Sequence, residues 1–485
     1  MLPKNQMFNQ MAGELIRHQT RRHFLRDCQV GMGAIATSLL AGQHAQAGGV
    51  PTFEPTFGKA KNVIYLHMAG SPSQLELFDY KPELERLHME PCPDSLLKEQ
   101  KFAFIKGHPK ILGPQAKFKQ TGSNGQYFSD LIPNLGGIAD DLTIVHSMVT
   151  DQFNHAPAQL YLHTGNARSG YPSLGSWATY GLGTENQDLP GYVVFVSGGN
   201  NPSAGKAVWG NGFLPGVYQG VQCRSVGDPI LFLNNPPGMS RDSRRASLDA
   251  LNQLNQMQSQ EFGDPETQTR IEQYELAFRM QMAAPEAMDL STETQETLES
   301  YGAAIGGSGF ANNCLLARRL VERGVRFVEL FDWGWDVHGT GAHDDLNTQF
   351  VKKCKEMDQP VAALISDLKQ RGMLDETLVI WGGEFGRTSM NEARNGSTFL
   401  GRDHHPHCFT MFFAGGGMKS GFDFGQTDEL GYFVTEDKMT VRDMQATVLH
   451  LLGLDPFQLS YPFQGLNARL IGPTDEGVIR KELFT

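Results

Sequence analysis

The chain has 485 residues, with 41 Lys and Arg against 53 Asp and Glu, a formal charge of −12. That balance, with no block of basic residues, excludes a nucleic-acid binder that works by phosphate neutralisation, and no apolar run is long enough to span a bilayer. Six cysteines without a CxxC pair form neither a disulfide framework nor a zinc ribbon.

The first residues read as an export signal. Thr20–Arg26 spells TRRHFLR, a twin-arginine pair followed by Phe24 and Leu25. A weakly apolar run, Val30–Gly42, follows, and Ala45-Gln46-Ala47 offers an A-x-A cleavage site. We therefore expect residues 1–47 to be a twin-arginine signal, residues 48–61 a leader arm, and the mature protein to act in the periplasm or at the cell surface. Cleavage would remove Cys28, five basic and two acidic side chains, leaving a body more acidic than the whole.

From residue 62 strand and helix signals alternate. Asn62–Met68 (NVIYLHM), Leu142–Met148 and Tyr192–Val196 read as strands. Pro202 to about Pro265 is rich in Gly, Asn and Pro and reads as the core of an irregular insertion spanning about 198–310. Within and after it, Gln268–Met288 and Thr292–Ala304 lack breakers and predict helices. Asn312–Arg323 predicts a helix, Val325–Phe331 a strand, and Asp344–Arg371 a long helix. In that helix Leu346, Phe350, Cys354, Met357, Val361, Leu364 and Leu368 recur every three or four residues, with Pro360 as an expected kink. Leu378–Trp381 and Cys408–Phe413 complete the strands, and Arg442–Leu452 the helices. The pattern predicts an α/β fold, a three-layer α/β/α sandwich around a mostly parallel sheet.

In such a sheet the loops at the carboxyl ends of the strands share one crevice. That rule gathers Ser71, Ser73, Glu76 and Asp79 after the first strand, and Asp151, Asn154 and His155 after the second. Asp336 and His338 follow the strand ending at Phe331. Glu384 and Arg387 follow Leu378–Trp381. About twenty residues on, Asp403, His404, His405 and His407 crowd together. Asp336, His338, Glu384 and His405 form a candidate metal set, with His404 and His407 as alternatives to His405; a carboxylate with several imidazoles suits Zn²⁺ or Mn²⁺, while fewer imidazoles and more carboxylates favour Ca²⁺ or Mg²⁺. The bland alternative is a group of loop residues capping strand ends. His155 precedes Ala156-Pro157 at a helix entry, where the local field disfavours imidazolium and predicts a neutral ring able to bind metal or attack an electrophile. Arg387 and Arg402 are guanidinium forks suited to tetrahedral oxyanions.

NVIYLHMAGSPSQLELFD, NHAPAQLYLHTG, FDWGWDVHG, LDETLVIWGGEFGRT, GRDHHPHCFTMFFAGGGMKSG and VRDMQATVLHLLGLD together resemble a large bacterial family of exported proteins described as sulfatase-like, a divergent branch of the alkaline phosphatase superfamily. The resemblance implies the α/β/α sandwich, a divalent metal site at the strand ends, and hydrolysis of a sulfuric or phosphoric ester on a small molecule or glycan. Sulfatases carry a Cys or Ser, converted to formylglycine, in a C/S-x-P-S-R motif. His155-Ala156-Pro157-Ala158-Gln159 occupies that register here, so His155 stands at the nucleophile position and Arg387 is left to bind the anion. These departures keep open a second expectation, a catalytically degenerate binding or scaffolding protein on the same fold.

Overall fold

In the computed structural model the described residues are 58–97, 102–230, 233–236, 238–262, 265–473 and 477–484. The chain divides into Met1–Thr52 and Phe53–Thr485. The signal expected in residues 1–47, and the leader arm up to residue 57, lie outside the described residues. The end of the arm is tied to the body: Ala60 is buried and its amide donates to the Leu451 carbonyl at 3.0 Å.

Nine strands make the central sheet: β1 Asn62–Ala69, β2 Thr143–Val149, β3 Tyr192–Ser197, β4 Val221–Gln222, β5 Phe327–Trp333, β6 Thr377–Gly382, β7 Phe409–Ala414, β8 Phe422–Phe424 and β9 Met439–Thr440. The order is β8-β2-β7-β6-β1-β5-β3-β4, with β9 also paired to β2. β1 pairs in parallel with β5 and β6 on its two sides, and β3 continues the parallel run. Only β7 opposes its neighbours, pairing antiparallel with β6 and β2. Every residue of β1 is buried, as a strand covered on both faces requires.

Alternation along the strands sends side chains into two cores. Ile64, Leu66 and Met68 face one core with Val328, Leu330, Val379 and Trp381; Val63 and Tyr65 face the other with Phe327, Phe331, Leu378 and Ile380. The other side of that second core is covered by helices α1 His155–Thr164, α2 Leu174–Leu182 and α7 Val441–Leu451. The first is covered by α4 Pro265–Met288, α5 Phe310–Glu322 and α6 Val351–Gln370. The sandwich expected from the pattern is therefore the fold. In α6 and the wide turn Leu346–Phe350 that leads into it, all seven periodic apolar positions from Leu346 to Leu368 belong to that core, and α6 runs through Pro360 as one helix.

Two expectations are corrected. The stretch Pro202–Pro265 is not wholly irregular, because it contains the 22-residue helix α3, Arg241–Phe262. Leu248 is the one buried residue among that helix's described side chains, yet Leu248, Leu251, Leu254 and Met257 recur every three residues and were a signal the composition of the stretch obscured. The helix expected over Thr292–Ala304 is only Gln295–Tyr301. β5, α6 and β6 are a parallel strand-helix-strand unit, but its strands are not neighbours, since β1 lies between them.

Candidate functional site

Five chain segments meet at one edge of the sheet. The turns after β1, β2, β5 and β6 arrive there because those strands are parallel. The segment before β7 arrives because β7 runs the other way, so its amino end shares their carboxyl edge. Close approach fixes the turns. Gly70 has φ +103°, and a Cβ on it would stand 2.5 Å from the Asp336 nitrogen; a Cβ on Gly401 would stand 1.9 Å from the His338 carbonyl carbon.

Asp336 is the centre. Its Oδ1 lies 2.8 Å from His338 Nε2, 3.2 Å from His155 Nε2, 3.3 Å from His404 Nε2 and 2.6 Å from Arg387 Nη2. The ligand atoms of His155, Asp336, His338 and His404 all lie within 4.8 Å of one another. The other ring nitrogen of each histidine is spent on an acceptor: His155 Nδ1 on Glu384 Oε1 at 2.7 Å, His404 Nδ1 on the Phe153 carbonyl at 2.8 Å, and His338 Nδ1 on Glu392 Oε2. Each Nδ1 is thereby a donor, and the three Nε2 atoms are left converging on one carboxylate oxygen. His155 Nε2 is buried and makes no aligned hydrogen bond at all.

The sequence-derived residues distribute as follows. Asp336, His338 and His404 are in the cluster, and His155 joins them as an equal. Glu384 is one step behind: fully buried, its Oε1 also accepts from Gln159 Nε2 at 2.9 Å and from the Gly70 amide at 3.1 Å. Its Oε2 is 3.3 Å from His67 Nε2, without hydrogen-bond alignment. His405 faces away. Gly386–Arg387 pairs antiparallel with His404–His405, and successive side chains on a strand take opposite faces, so Arg387 and His404 point to Asp336 while His405 does not. His405 Nε2 instead donates to the Tyr432 carbonyl at 2.6 Å, and burial pushes its pKa down to about 3, so the ring is neutral.

Arg387 is not an open anion clamp. It is 1% exposed, and its guanidinium donates to the carbonyls of Gly70, Ser71 and Arg402 as well as to Asp336. Glu76 and Asp79 do not fold back into the cluster. Glu76 pairs with Arg402 at 2.7 Å, and Asp79 with Lys81 at 3.0 Å. Asp403 accepts from the Phe104 and Ile105 amides at 2.7 and 2.9 Å, tying that loop down.

The charge state departs from the helix-entry expectation for His155. It is the first residue of α1, but it lies between two carboxylates. Burial alone would lower its pKa; the Asp336 carboxylate 3.2 Å from Nε2 and the Glu384 carboxylate bonded to Nδ1 outweigh this and raise it to about 9 in the absence of a metal. Burial would raise the Asp336 carboxyl, but Arg387 and the three imidazoles hold it well below the usual carboxylate range. Burial lowers His338 as well, and Asp336 and Glu392 outweigh it in the upward direction. Sequence reasoning missed Glu392 and His67. Glu392 comes from a polar loop that carries no pattern; His67, an imidazole inside an apolar strand, was a visible signal.

The strand ends of this mostly parallel α/β/α sandwich thus carry a His/Asp cluster that could hold a metal ion. The chain belongs to the DUF1501 family, a protein family of unknown function whose profile matches residues 60–483. No curated protein matches the sequence. Among solved structures it is similar to the lipoteichoic acid synthase LtaP from Listeria monocytogenes, at 12% identity, covering 86% of this chain and 76% of that one, TM-score 0.34. It is similar to the PsFucS1 sulfatase from Pseudoalteromonas sp., at 13% identity over 81% of this chain and 68% of that one, TM-score 0.35. It is also similar to a protein in the alkaline phosphatase superfamily from Vibrio parahaemolyticus, at 12% identity over 83% and 68%, TM-score 0.33. Among the described residues no helix is long and apolar enough to cross a membrane.

Proposed function

We propose that the chain is an exported, metal-dependent hydrolase of a sulfuric or phosphoric ester, with His155, Asp336, His338 and His404 holding the ion. The observation that carries this reading is the shared orientation of the three imidazoles. Each Nδ1 is fixed by an acceptor and each Nε2 is turned to the same oxygen, the arrangement by which outer groups set metal-binding histidines. The orphaned His155 Nε2 suits a metal-ligand atom. Three nitrogens and one oxygen suit Zn²⁺ or Mn²⁺ better than Ca²⁺, which prefers oxygen donors.

Such an ion supplies Lewis-acid polarisation of the ester and a lowered pKa for water. The chain's own groups do the rest. Glu384 and Glu392 orient His155 and His338, and Arg387 holds Asp336 in place. Asp336, with 24% of its side chain exposed, marks where solvent and substrate reach the cluster. Water is the nucleophile that suits this site. Among the described residues no Cys joins the cluster, and His155 has one nitrogen spent on Glu384 while the other faces Asp336.

Elemental analysis of the protein purified after native export tests the reading. About one Zn or Mn per chain is expected, absent from Asp336→Asn, with hydrolysis of an aryl sulfate or phosphate lost in parallel. Folded parent without stoichiometric metal, or an Asp336→Asn variant that keeps it, refutes the assignment. A second reading, a binding protein without turnover, is favoured by one fact: Arg387 and Arg402 are both buried and donate to protein acceptors, leaving neither free to clamp an anion. Saturable sulfate-ester binding by metal-loaded protein, with no hydrolysis, would decide for it.

A further inference from the structure

Arg387 and Arg402 spend their donors on protein acceptors, but a third arginine stands beside the cluster and is held differently. Glu392 Oε2 orients His338, and Glu392 Oε1 accepts from Arg394 Nε at 2.5 Å. Between the two residues Ala393 has φ +47°, a left-handed conformation that residues with a Cβ rarely adopt. Such strain persists where surrounding contacts over-determine it. Here the Glu392 side chain is wholly covered, while Arg394 keeps 30% of its side chain exposed.

The guanidinium is fixed at one corner and on one face. Its Cζ lies 3.9 Å over the Phe104 ring centroid, a stack that leaves the in-plane N–H groups available. Phe104 belongs to the mouth of the cluster: it is 39% exposed, and its ring lies 5.1 Å from that of His338 and 5.5 Å from that of His404, nearly perpendicular to both. Of the five N–H donors on Arg394, only the Nε one makes a hydrogen bond among the described residues, and Nη2 is buried without an acceptor. Glu392 does not satisfy the guanidinium, because the same carboxylate also serves His338. Asp403, the other carboxylate beside His338, is spent on the Phe104, Ile105 and His404 amides. A buried donor left unpaired next to a site calls for an acceptor from outside the chain.

His338 separates this guanidinium from the metal position, since its Nε2 faces Asp336 and its Nδ1 faces Glu392. An ester held among the Nε2 atoms is out of reach of Arg394, so the anion that meets Arg394 is a second one. Resting on the ester-hydrolase reading, we propose that Arg394 determines specificity by binding a further anionic group of the substrate, a sulfate, phosphate or carboxylate set apart from the reacting ester. The preferred substrate then carries at least two negative groups. Phe104 touches both the ligand rings and the guanidinium, and is the surface that the linking carbon skeleton crosses. Binding energy from such a remote group is what positions an ester at the reacting centre.

Titration calorimetry of the metal-loaded full chain with butylphosphonate and butane-1,4-bisphosphonate, neither of which can be hydrolysed, tests this. The bisphosphonate is expected to bind at least about tenfold tighter than the monophosphonate. In Arg394→Gln that ratio should fall to within about twofold with metal content unchanged. Arg394→Lys, which keeps the charge and loses the fork, should give a ratio between the two. A ratio that survives Arg394→Gln overturns the proposal. Loss of the metal from Arg394→Gln overturns it too, because Arg394 would then be a positioning residue acting through Glu392. Equal binding of the two phosphonates by the parent overturns the second anion alone and leaves the hydrolase reading standing. Failure of both to bind the metal-loaded parent takes the hydrolase reading down as well.

Discussion

Two groups of buried charge lie close together near the carboxyl edge of the sheet, and they are built by opposite rules. Arg402 and Glu76 form a closed pair. The guanidinium reaches Glu76 Oε1 at 2.7 and 3.0 Å and spends its remaining donors on the Thr388 and Gly113 carbonyls, while Glu76 Oε2 accepts from the Gln115 amide at 2.7 Å. The Asp336 group is oversubscribed: three imidazole nitrogens and a guanidinium crowd one oxygen, and His155 Nε2 finds no aligned partner. Buried charge by itself therefore does not mark a site. Ligand atoms that converge beyond what one acceptor can satisfy do, because the fold has oriented them for something other than one another.

The largest effect that would test this contrast is on stability. Arg402→Met keeps most of the side-chain volume and leaves Glu76 buried and unpaired, which should cost about 3–5 kcal/mol in denaturant unfolding followed by circular dichroism. A cost near zero would mean that Glu76 escapes to solvent and that the pair is not closed. A smaller effect is expected from Glu392→Gln, which retains shape but weakens the acceptor that orients His338. Metal affinity should drop roughly 10–100-fold with the unfolding midpoint of the metal-free protein little changed. Unchanged affinity would put Glu392 in the closed category with Glu76.

How much of this was readable from the sequence follows from what each feature depends on. β1, β5 and β6 are continuous apolar runs closed by Gly or polar residues, and the 3.6-residue period of α6 is unmistakable; these follow from local pattern. The direction of β7 does not, since the Cys408–Phe413 run reads the same in either sense. Yet that direction is what brings His404 to the crevice. β4, β8 and β9 are two- or three-residue edge segments, too short to have a period. Asp336 and His338 were visible because β5 ends just before them. The groups that set the tautomers were not: Glu392 is a loop carboxylate, and the partner of His404 is a backbone carbonyl with no sequence signature at all. His155 was singled out as a metal ligand or a nucleophile; what was hidden is its orienting partner, because Glu384 at its Nδ1 is a contact across 229 residues of chain.

The adjacent pair His404-His405 carries the smallest effect and the sharpest discrimination, since the two rings differ in sequence by one position and in role entirely. The pairing of Gly386–Arg387 with His404–His405 sends one ring to Asp336 and the other to the Tyr432 carbonyl. His405→Phe should therefore leave metal stoichiometry unchanged and lose only about 1–3 kcal/mol, the cost of a buried carbonyl without its donor. His404→Phe, similar in size and burial, should abolish stoichiometric metal. If instead the His405 variant loses the metal and the His404 variant keeps it, the two-residue ribbon is out of register by one. Such a slip would exchange the faces of both rings, and the site would have to be rebuilt around His405.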